Sequence, residues 1–338
     1  MRAHDAPIVR RSCLAGLGAM TVAACTARAP GAAGDPRPGW GPPDMPPQAG
    51  RGFLVTGGTS GIGYESSKAL AAAGAEVVIA ARSRERGEEA IAAIRQEVPG
   101  ARLRFEKLDL ADLASVRALA ARLPEALPRL DGLLNNAGVM EPPERGTSAD
   151  GYETQFAVNY LGHFALTAEL LPMLRRAEAP RVVTLSSIAA RYGAINFEDL
   201  QFAQRYDASA AYGQSKLACL LFALELQRRS EAGGWGIRSI ASHPGLSRTN
   251  LQAGHGPFRR ALRVLFQPAA QGALPTLYAA TAPEARGGGY YGPNGFLEAR
   301  GAVGAAEVPA AAADGGAAAR LWTISEALSG ARFPSAIG

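Results

Sequence analysis

From Arg51 onward the chain alternates short apolar, β-branched runs with longer stretches whose apolar residues recur every three or four positions. The first pattern is that of strands and the second that of helices lying on a core. Strands are expected over residues 52–56, 76–81, 102–108, 132–135, 181–186 and 237–242. Helices are expected over 61–73, 84–97, 112–123, 152–176 and 212–229. Several strand runs are apolar throughout rather than alternating, which fits a parallel sheet covered by helices on both faces. The alternation therefore predicts an α/β chain with a single doubly wound Rossmann-type parallel sheet over residues 51–338. Connections are short except for 188–211 and the region after His243. After an Ala/Gly-rich stretch (305–316), a surface helix is expected over 317–328, docking through Leu321, Trp322 and Leu328.

The first fifty residues have another character. Arg10 and Arg11 precede an uncharged, mildly apolar stretch from Cys13 to Cys25. That is the layout of an export signal and is shorter than the about 20 residues of a membrane span. The arginine pair followed by Leu14 has the form of a twin-arginine signal, and Val22-Ala-Ala-Cys25 that of a lipidation site. Residues 1–28 are thus expected to direct export, to the periplasm or to a lipid anchor, with a cytoplasmic chain starting at Met45 as the alternative. Residues 29–50, rich in Pro and Gly, are expected to form a flexible linker. Membrane contact is expected only through this N-terminal signal or lipid.

Composition narrows the function. The net charge is +5 and basic residues are interspersed with acids, as in Arg82-Ser-Arg-Glu-Arg-Gly-Glu-Glu89, so no nucleic-acid footprint is present. Cys13, Cys25 and Cys219 have neither metal-ligand nor disulfide-framework spacing, and no metal is expected. Cys219, in an apolar run, reads as a small buried hydrophobe. Among 35 basic residues only Lys68, Lys107 and Lys216 are lysines. A compact ammonium approaches a phenol or a ribose in a way that a planar guanidinium does not. Lys216 lies four residues after Tyr212, on the same helical face, and an ammonium beside a phenol makes an acid/base pair for neutral pH.

A second constellation concerns a dinucleotide. In Thr56-Gly-Gly-Thr-Ser-Gly-Ile-Gly63, between the first strand and first helix, Gly57, Gly61 and Gly63 allow a tight turn and close approach to a pyrophosphate, with Thr59, Ser60 and Ile62 completing the loop. The second strand ends Ile79-Ala-Ala-Arg82-Ser83, with an arginine where an acid would hold a ribose diol. Guanidinium suits a 2′-phosphate, so NADP is expected over NAD.

The glycine turn, Leu108-Asp-Leu110, Asn135-Asn-Ala-Gly138, Asn159, Ser186-Ser187, Tyr212-x-x-x-Lys216 and His243-Pro-Gly245, in that order, resemble the short-chain dehydrogenases/reductases. Phe156-Ala-Val-Asn-Tyr-Leu-Gly-His-Phe164, the insertion between Ser187 and Tyr212, and Tyr290-Tyr-Gly-Pro293 resemble their retinol dehydrogenase-like branch. The resemblance implies that Tyr212 is the acid/base, that Lys216 stabilises its phenolate charge and bonds the nicotinamide ribose, and that Ser187 orients the substrate oxygen. It implies that Asn159 holds a water linking Lys216 to solvent. It places Asp109 at the adenine amino group with Leu110 beside it, and Asn135, Ala137 and Gly138 along the adenine-ribose side. Pro244, Gly245 and Thr249 fall at the nicotinamide, while His243 is structural. The expected reaction interconverts a hydrophobic alcohol with its aldehyde or ketone. The apolar segment 246–267 and Ile195, Phe197 and Phe202 read equally as a substrate wall, as core, or as the face of a homo-oligomer. Two rival readings remain at this stage: a non-catalytic NADP(H)-sensing module, against which the intact Ser187–Tyr212–Lys216 set argues, and an epimerase or dehydratase, against which the glycine spacing argues.

Overall fold

The computed structural model describes residues 36–248 and 266–334. Its strands are β1 (Gly52–Thr56), β2 (Glu76–Ala81), β3 (Arg102–Lys107), β4 (Gly132–Asn135), β5 (Arg181–Leu185), β6 (Arg238–Ser242), β7 (Tyr290–Pro293) and β8 (Val303–Ala305). They form one sheet in the order β3-β2-β1-β4-β5-β6-β7-β8. Every pairing is parallel except β7 with β8. The helices are α1 (Gly61–Ala72), α2 (Arg84–Glu97), α3 (Leu113–Ala126), α4 (Gly162–Leu174), α5 (Ala208–Ala232), α6 (Ala269–Thr281) and α7 (Gly315–Ser329). The doubly wound α/β fold expected from the alternating pattern is thus the one observed.

Side-chain alternation along each strand divides the interior in two. Leu54 and Leu133 point into one core with α3, α4, α5 and α7, while Phe53, Val55 and Leu134 point into the other with α1, α2 and α6. Both faces are apolar because both are covered, which is why the strands carry few polar positions. Gly132 is required by this packing, since a Cβ there would lie 2.3 Å from the Phe53 ring. The expected helix over 152–176 is interrupted: residues Phe156–Leu161 form a π-turn that runs directly into α4. Helix α5 starts at Ala208, capped by the Asp207 carboxylate on the Ala210 N–H, and so gives Tyr212 a full preceding turn.

The C-terminal helix docks as anticipated, with Leu321 and Trp322 buried against α4 and α5. Trp322 meets Phe164 edge-on at 5.1 Å, and Phe333 at 4.5 Å. Among the described residues no helix is long and apolar enough to cross a membrane.

The expectation of a flexible 29–50 linker is corrected for the part described. Trp40 is 4% exposed and meets Tyr278 of α6 edge-on at 5.3 Å, Met45 is buried, and Gln48 is fully covered. The Gln48 N–H donates to the Ala73 carbonyl at the end of α1. Prolines restrict the unfolded chain, so little order is lost on docking, and one indole buries enough apolar surface to hold the segment. The signal residues 1–28 lie outside the described residues.

Trp40→Ala is expected to lower stability by about 3 kcal/mol in urea unfolding, as for a buried indole. A loss below about 1 kcal/mol, the mean for an arbitrary substitution, would show that the segment does not belong to the folded unit.

Candidate active site

The winding of the sheet reverses between β1 and β4, which are neighbours although β2 and β3 intervene in the chain. Such a switch point leaves a crevice at the carboxyl ends of the strands. The glycine turn fills the β1 side of it. Gly57 and Gly61 have φ of +67° and +56°, and a Cβ on Gly63 would lie 2.4 Å from the Gly57 carbonyl oxygen. Only glycine permits this turn. Ser60 precedes α1 in extended conformation without capping it, so the N-terminal N–H groups of α1 are left for a ligand, as a helix start that binds phosphate requires. Thr59 is half-buried in the same loop, and Ile62 is buried and reaches α6 beside Gly272.

Arg82 stands exposed at the end of β2 and makes no ion pair among the described residues. Asp109, past β3, accepts the Ala111 N–H on one carboxylate oxygen and donates its own N–H to Ser115. Leu110 and Asn135 do not offer their side chains to this crevice. Leu110 is buried in the α3–α4 core. The Asn135 amide, 1% exposed, donates to the Thr167 hydroxyl on α4. For these two residues only backbone groups are left to meet a nucleotide.

The β4 turn is fastened to β1 through Thr56. Its hydroxyl accepts the N–H groups of Asn136 at 2.9 Å and Ala137 at 3.0 Å, and the Asn136 amide donates to the Thr56 carbonyl at 2.7 Å. Gly138 faces Asn159 and Lys216: a Cβ there would lie 3.1 Å from Asn159 Oδ1 and 3.5 Å from Lys216 Nζ. Gly57, Gly63 and Gly138 thus mark a backbone path from the α1 N-terminus toward Lys216 along which no side chain intervenes. The residues present fit a dinucleotide.

The sequence-selected acid/base residues converge beyond Gly138, around Lys216. Gly193, which closes the short helical turn after Ser187, lies against Gly213 on α5, where a Cβ would fall 2.4 Å from the Gly213 carbonyl. This contact brings the segment carrying Ser187 against the turn carrying Tyr212. Lys216 Nζ donates to the Leu185 carbonyl at 3.1 Å and lies 6.0 Å from the Tyr212 ring centre, and Ser186 Oγ donates to the Lys216 carbonyl at 2.7 Å. Lys216 is only 6% exposed, yet no carboxylate pairs with it among the described residues. Tyr212 and Ser187 are half-buried, and Ser187 Oγ accepts the Ala189 N–H at 3.2 Å. Asn159 sits in the π-turn, a feature frequent at functional sites. Its side chain accepts the Val139 N–H and donates to the Val139 carbonyl and the Ser215 hydroxyl.

Beyond β6, Pro244 and Gly245 turn the chain, Gly245 with φ +61° and with no room for a Cβ against the Ala299 carbonyl. His243 is the residue whose surroundings sequence reasoning missed. No acid adjoins it in the chain, but Glu298, 55 residues on, meets its Nε2 at 2.8 Å and also pairs with Arg191 at 2.7 Å. Burial lowers the His243 pKa, with Glu298 opposing. The sequence carries no signal for this pairing, which joins loops 55 residues apart. Ile195 and Phe197 of the insertion pack on the core instead of walling the crevice, and Phe202 meets Tyr206 edge-on. Thr249 and the apolar residues 251–265 lie outside the described residues.

A parallel sheet with a glycine turn and an uncapped helix start at its switch point, beside a buried lysine, a tyrosine and a serine, is the arrangement of a dinucleotide-dependent oxidoreductase. The defining pattern of the short chain dehydrogenase family matches residues 52–259. The chain therefore belongs to the short-chain dehydrogenases/reductases, NAD(P)-dependent enzymes that interconvert alcohols and carbonyls. It resembles their retinol dehydrogenase-like branch. Polyprenol dehydrogenase of Mus musculus is 44% identical over 260 residues, covering 74% of this chain and 77% of the relative. Retinol dehydrogenase 14 of Mus musculus is 39% identical over 300 residues, covering 83% and 86%. Among solved structures, an uncharacterised protein from Mycobacterium paratuberculosis superposes with a TM-score of 0.75 at 40% identity, covering 87% of this chain and 99% of that one. The RhlG–NADP complex of Pseudomonas aeruginosa gives 0.58 at 28% identity, covering 72% and 94%.

Two outcomes follow from this geometry. Gly193→Ala is expected to destabilise the protein by about 1–3 kcal/mol, as overpacking does, and to lower turnover further by parting Ser187 from Tyr212. Unaltered unfolding and turnover would contradict the contact. Burial also pushes the His163 pKa down to about 4. The unfolded chain binds that proton near pH 6.5 and the folded one does not. Stability should therefore fall as pH drops from about 6.5 toward 4, by up to roughly 3 kcal/mol from this residue, with His243 acting in the same direction. Urea unfolding of His163→Gln across that range should give a shallower slope than the parent protein.

Proposed function

We propose that the protein is an NADP(H)-dependent alcohol dehydrogenase/carbonyl reductase for a hydrophobic substrate, with Tyr212 as its acid/base. The observation that carries this reading is Lys216. Burying an ammonium without a carboxylate partner costs several kcal/mol, and the fold holds it on a backbone carbonyl beside a phenol. A module that only senses the nucleotide could use Lys216 for the ribose but has no use for the phenol beside it.

When bound, the nicotinamide supplies or accepts the hydride. Gly57, Gly61, Gly63 and the α1 N-terminus would hold its pyrophosphate, Asp109 the adenine, and Lys216 the ribose. Pro244, Gly245 and Thr249 would lie by the nicotinamide, with the backbone of Asn135, Ala137 and Gly138 along the adenine-ribose side. Ser187 Oγ, half-buried at the mouth, orients the substrate oxygen and stabilises negative charge developing there. Tyr212 Oη gives a proton to that oxygen in reduction and takes it in oxidation, and the Lys216 ammonium stabilises the phenolate charge that alternates with it. Asn159 holds a water that returns the proton to solvent.

Two further features refine the reading. The unpaired Arg82 guanidinium suits a 2′-phosphate, and the solved neighbour RhlG is an NADP complex. The exposed large apolar residues among those described are Tyr192, Leu246, Phe296, Leu297 and Val308. All lie on segments joined by Glu298 or its neighbour Ala299, next to the His243–Gly245 turn. An apolar rim of this kind favours a lipophilic alcohol or carbonyl, the class named in the polyprenol and retinol dehydrogenase relatives. We also propose export through the Arg10–Arg11 signal, on sequence grounds alone.

Three measurements test this reading. Single-turnover oxidation of NADPH against a panel of apolar aldehydes and ketones should proceed, and Tyr212→Phe should lose about 10²–10⁴-fold of it. Retained turnover in Tyr212→Phe would remove Tyr212 from its role. Arg82→Ala should raise the NADPH KM about tenfold or more and leave that for NADH unchanged, whereas equal effects on both would overturn the NADP assignment. N-terminal sequencing should find a mature chain beginning at or near Cys25, and a cytosolic chain beginning at Met45 would refute export.

A further inference from the structure

We propose that His163 is a positioning residue that locks the cofactor turn and the helical turn of Tyr212 into one register. The proposal rests on the reading of Tyr212 and the nucleotide crevice given above. His163 is 1% exposed on the first turn of α4, and neither ring nitrogen faces the crevice. Its Nδ1 lies 2.9 Å from the Asn159 carbonyl oxygen. A carbonyl only accepts, so Nδ1 carries the hydrogen. Burial keeps the ring neutral, and Nε2 is then an acceptor. Thr56 Oγ, 2.9 Å away, donates to it.

The consequence at Thr56 is directional. With its hydrogen committed to the imidazole, the hydroxyl turns its lone pairs to the N–H groups of Asn136 and Ala137. The Leu134 carbonyl, at 3.2 Å, is the competing acceptor for that hydrogen. The ring thus decides how the turns after β1 and β4, which flank the nucleotide crevice, are held together.

At its other nitrogen the ring fixes the peptide of Asn159, whose carbonyl also takes the Cys219 thiol at 3.1 Å. The Asn159 amide donates to Ser215 Oγ, and Ser215 Oγ donates to the Tyr212 carbonyl at 2.8 Å. An unbroken chain of contacts therefore runs Thr56, His163, Asn159, Ser215, Tyr212. Buried polar chains of this kind are stiff and intolerant of a missing member.

The two nitrogens are separable by substitution. His163→Asn keeps a donor near the Nδ1 position and loses the acceptor for Thr56. His163→Gln reaches toward Thr56 and loses the donor to Asn159. His163→Phe loses both, and Thr56→Val removes the hydroxyl alone. The affinity for NADPH, followed by its fluorescence, needs no substrate, and kcat is read with the best carbonyl of the panel. Expected are an NADPH Kd raised about tenfold in His163→Asn and Thr56→Val, and one within about threefold of the parent in His163→Gln, whose kcat falls about tenfold or more. His163→Asn combined with Thr56→Val should bind NADPH no worse than Thr56→Val alone, because both remove one bond.

Variants that fold and keep both Kd and kcat within about twofold of the parent would overturn the proposal. So would losses in Kd and kcat that run together and simply follow the loss of thermal stability. If His163→Phe does not fold, Thr56→Val and His163→Asn decide the cofactor arm and His163→Gln the kcat arm. A parent protein that fails to bind NADPH would remove the nucleotide reading itself. A parent that binds and turns over, with unaffected His163 variants, would remove this proposal alone.

Discussion

A parallel sheet wound in opposite directions from one internal pair of strands leaves a crevice between the two sets of crossover connections. Here that pair is β1 and β4, and the chemistry of the protein depends on how their ends are joined. The joint is a hydroxyl. Thr56 closes β1, receives two N–H groups from the β4 turn and contacts the buried imidazole of His163. Without such a tie, two loops on a twisted sheet would drift independently, and a site needing placement within about half an ångström would not persist. The same economy recurs on the other side, where two glycines in contact bring Ser187 against the turn of Tyr212.

Much of this was legible in the sequence because it rests on local rules. Short apolar β-branched runs located β1 to β6, a 3.6-residue period located α1 to α5, and glycine spacing located the turn. Where the sequence was silent, the reasons are physical. Helix α6 is an almost unbroken Ala/Leu/Pro/Thr stretch buried on all sides, so it has no polar face to betray its period. Strands β7 and β8 are three or four residues long and contain Gly and Pro. The segment around Trp40 looked like linker because composition averages over a single anchoring side chain. The pairing of His243 with Glu298 joins loops from different strands, and no local pattern encodes it. Leu110 and Asn135 sit within cofactor-like motifs, yet their side chains point into the interior, since a motif specifies a backbone path more strictly than each side chain's direction.

Backbone strain tells a consistent story. Four non-glycine residues among those described have positive φ: Glu141, Phe202, Leu297 and Glu298. All lie on connections at the carboxyl edge of the sheet, after β4, between β5 and α5, and between β7 and β8. Such conformations cost of order 1–3 kcal/mol each and persist where surrounding contacts over-determine them. Glu298 shows how: its carboxylate engages His243 and Arg191 and accepts the Glu307 N–H, so three loops hold one unfavourable residue in place.

The wall behind the Asn159–His163 segment is made from the end of the chain. Phe164 and Phe222 find their aromatic partners in Trp322 and Phe333, and Tyr160 finds its hydroxyl partner in Ser325. A growing polypeptide displays these rings, unprotected, while β6, β7 and β8 and the loops between them are still being made. Closure of that oily surface must therefore await the emergence of residues 321–333. A chain cut between β8 and α7 would keep every strand of the sheet yet carry an adhesive back.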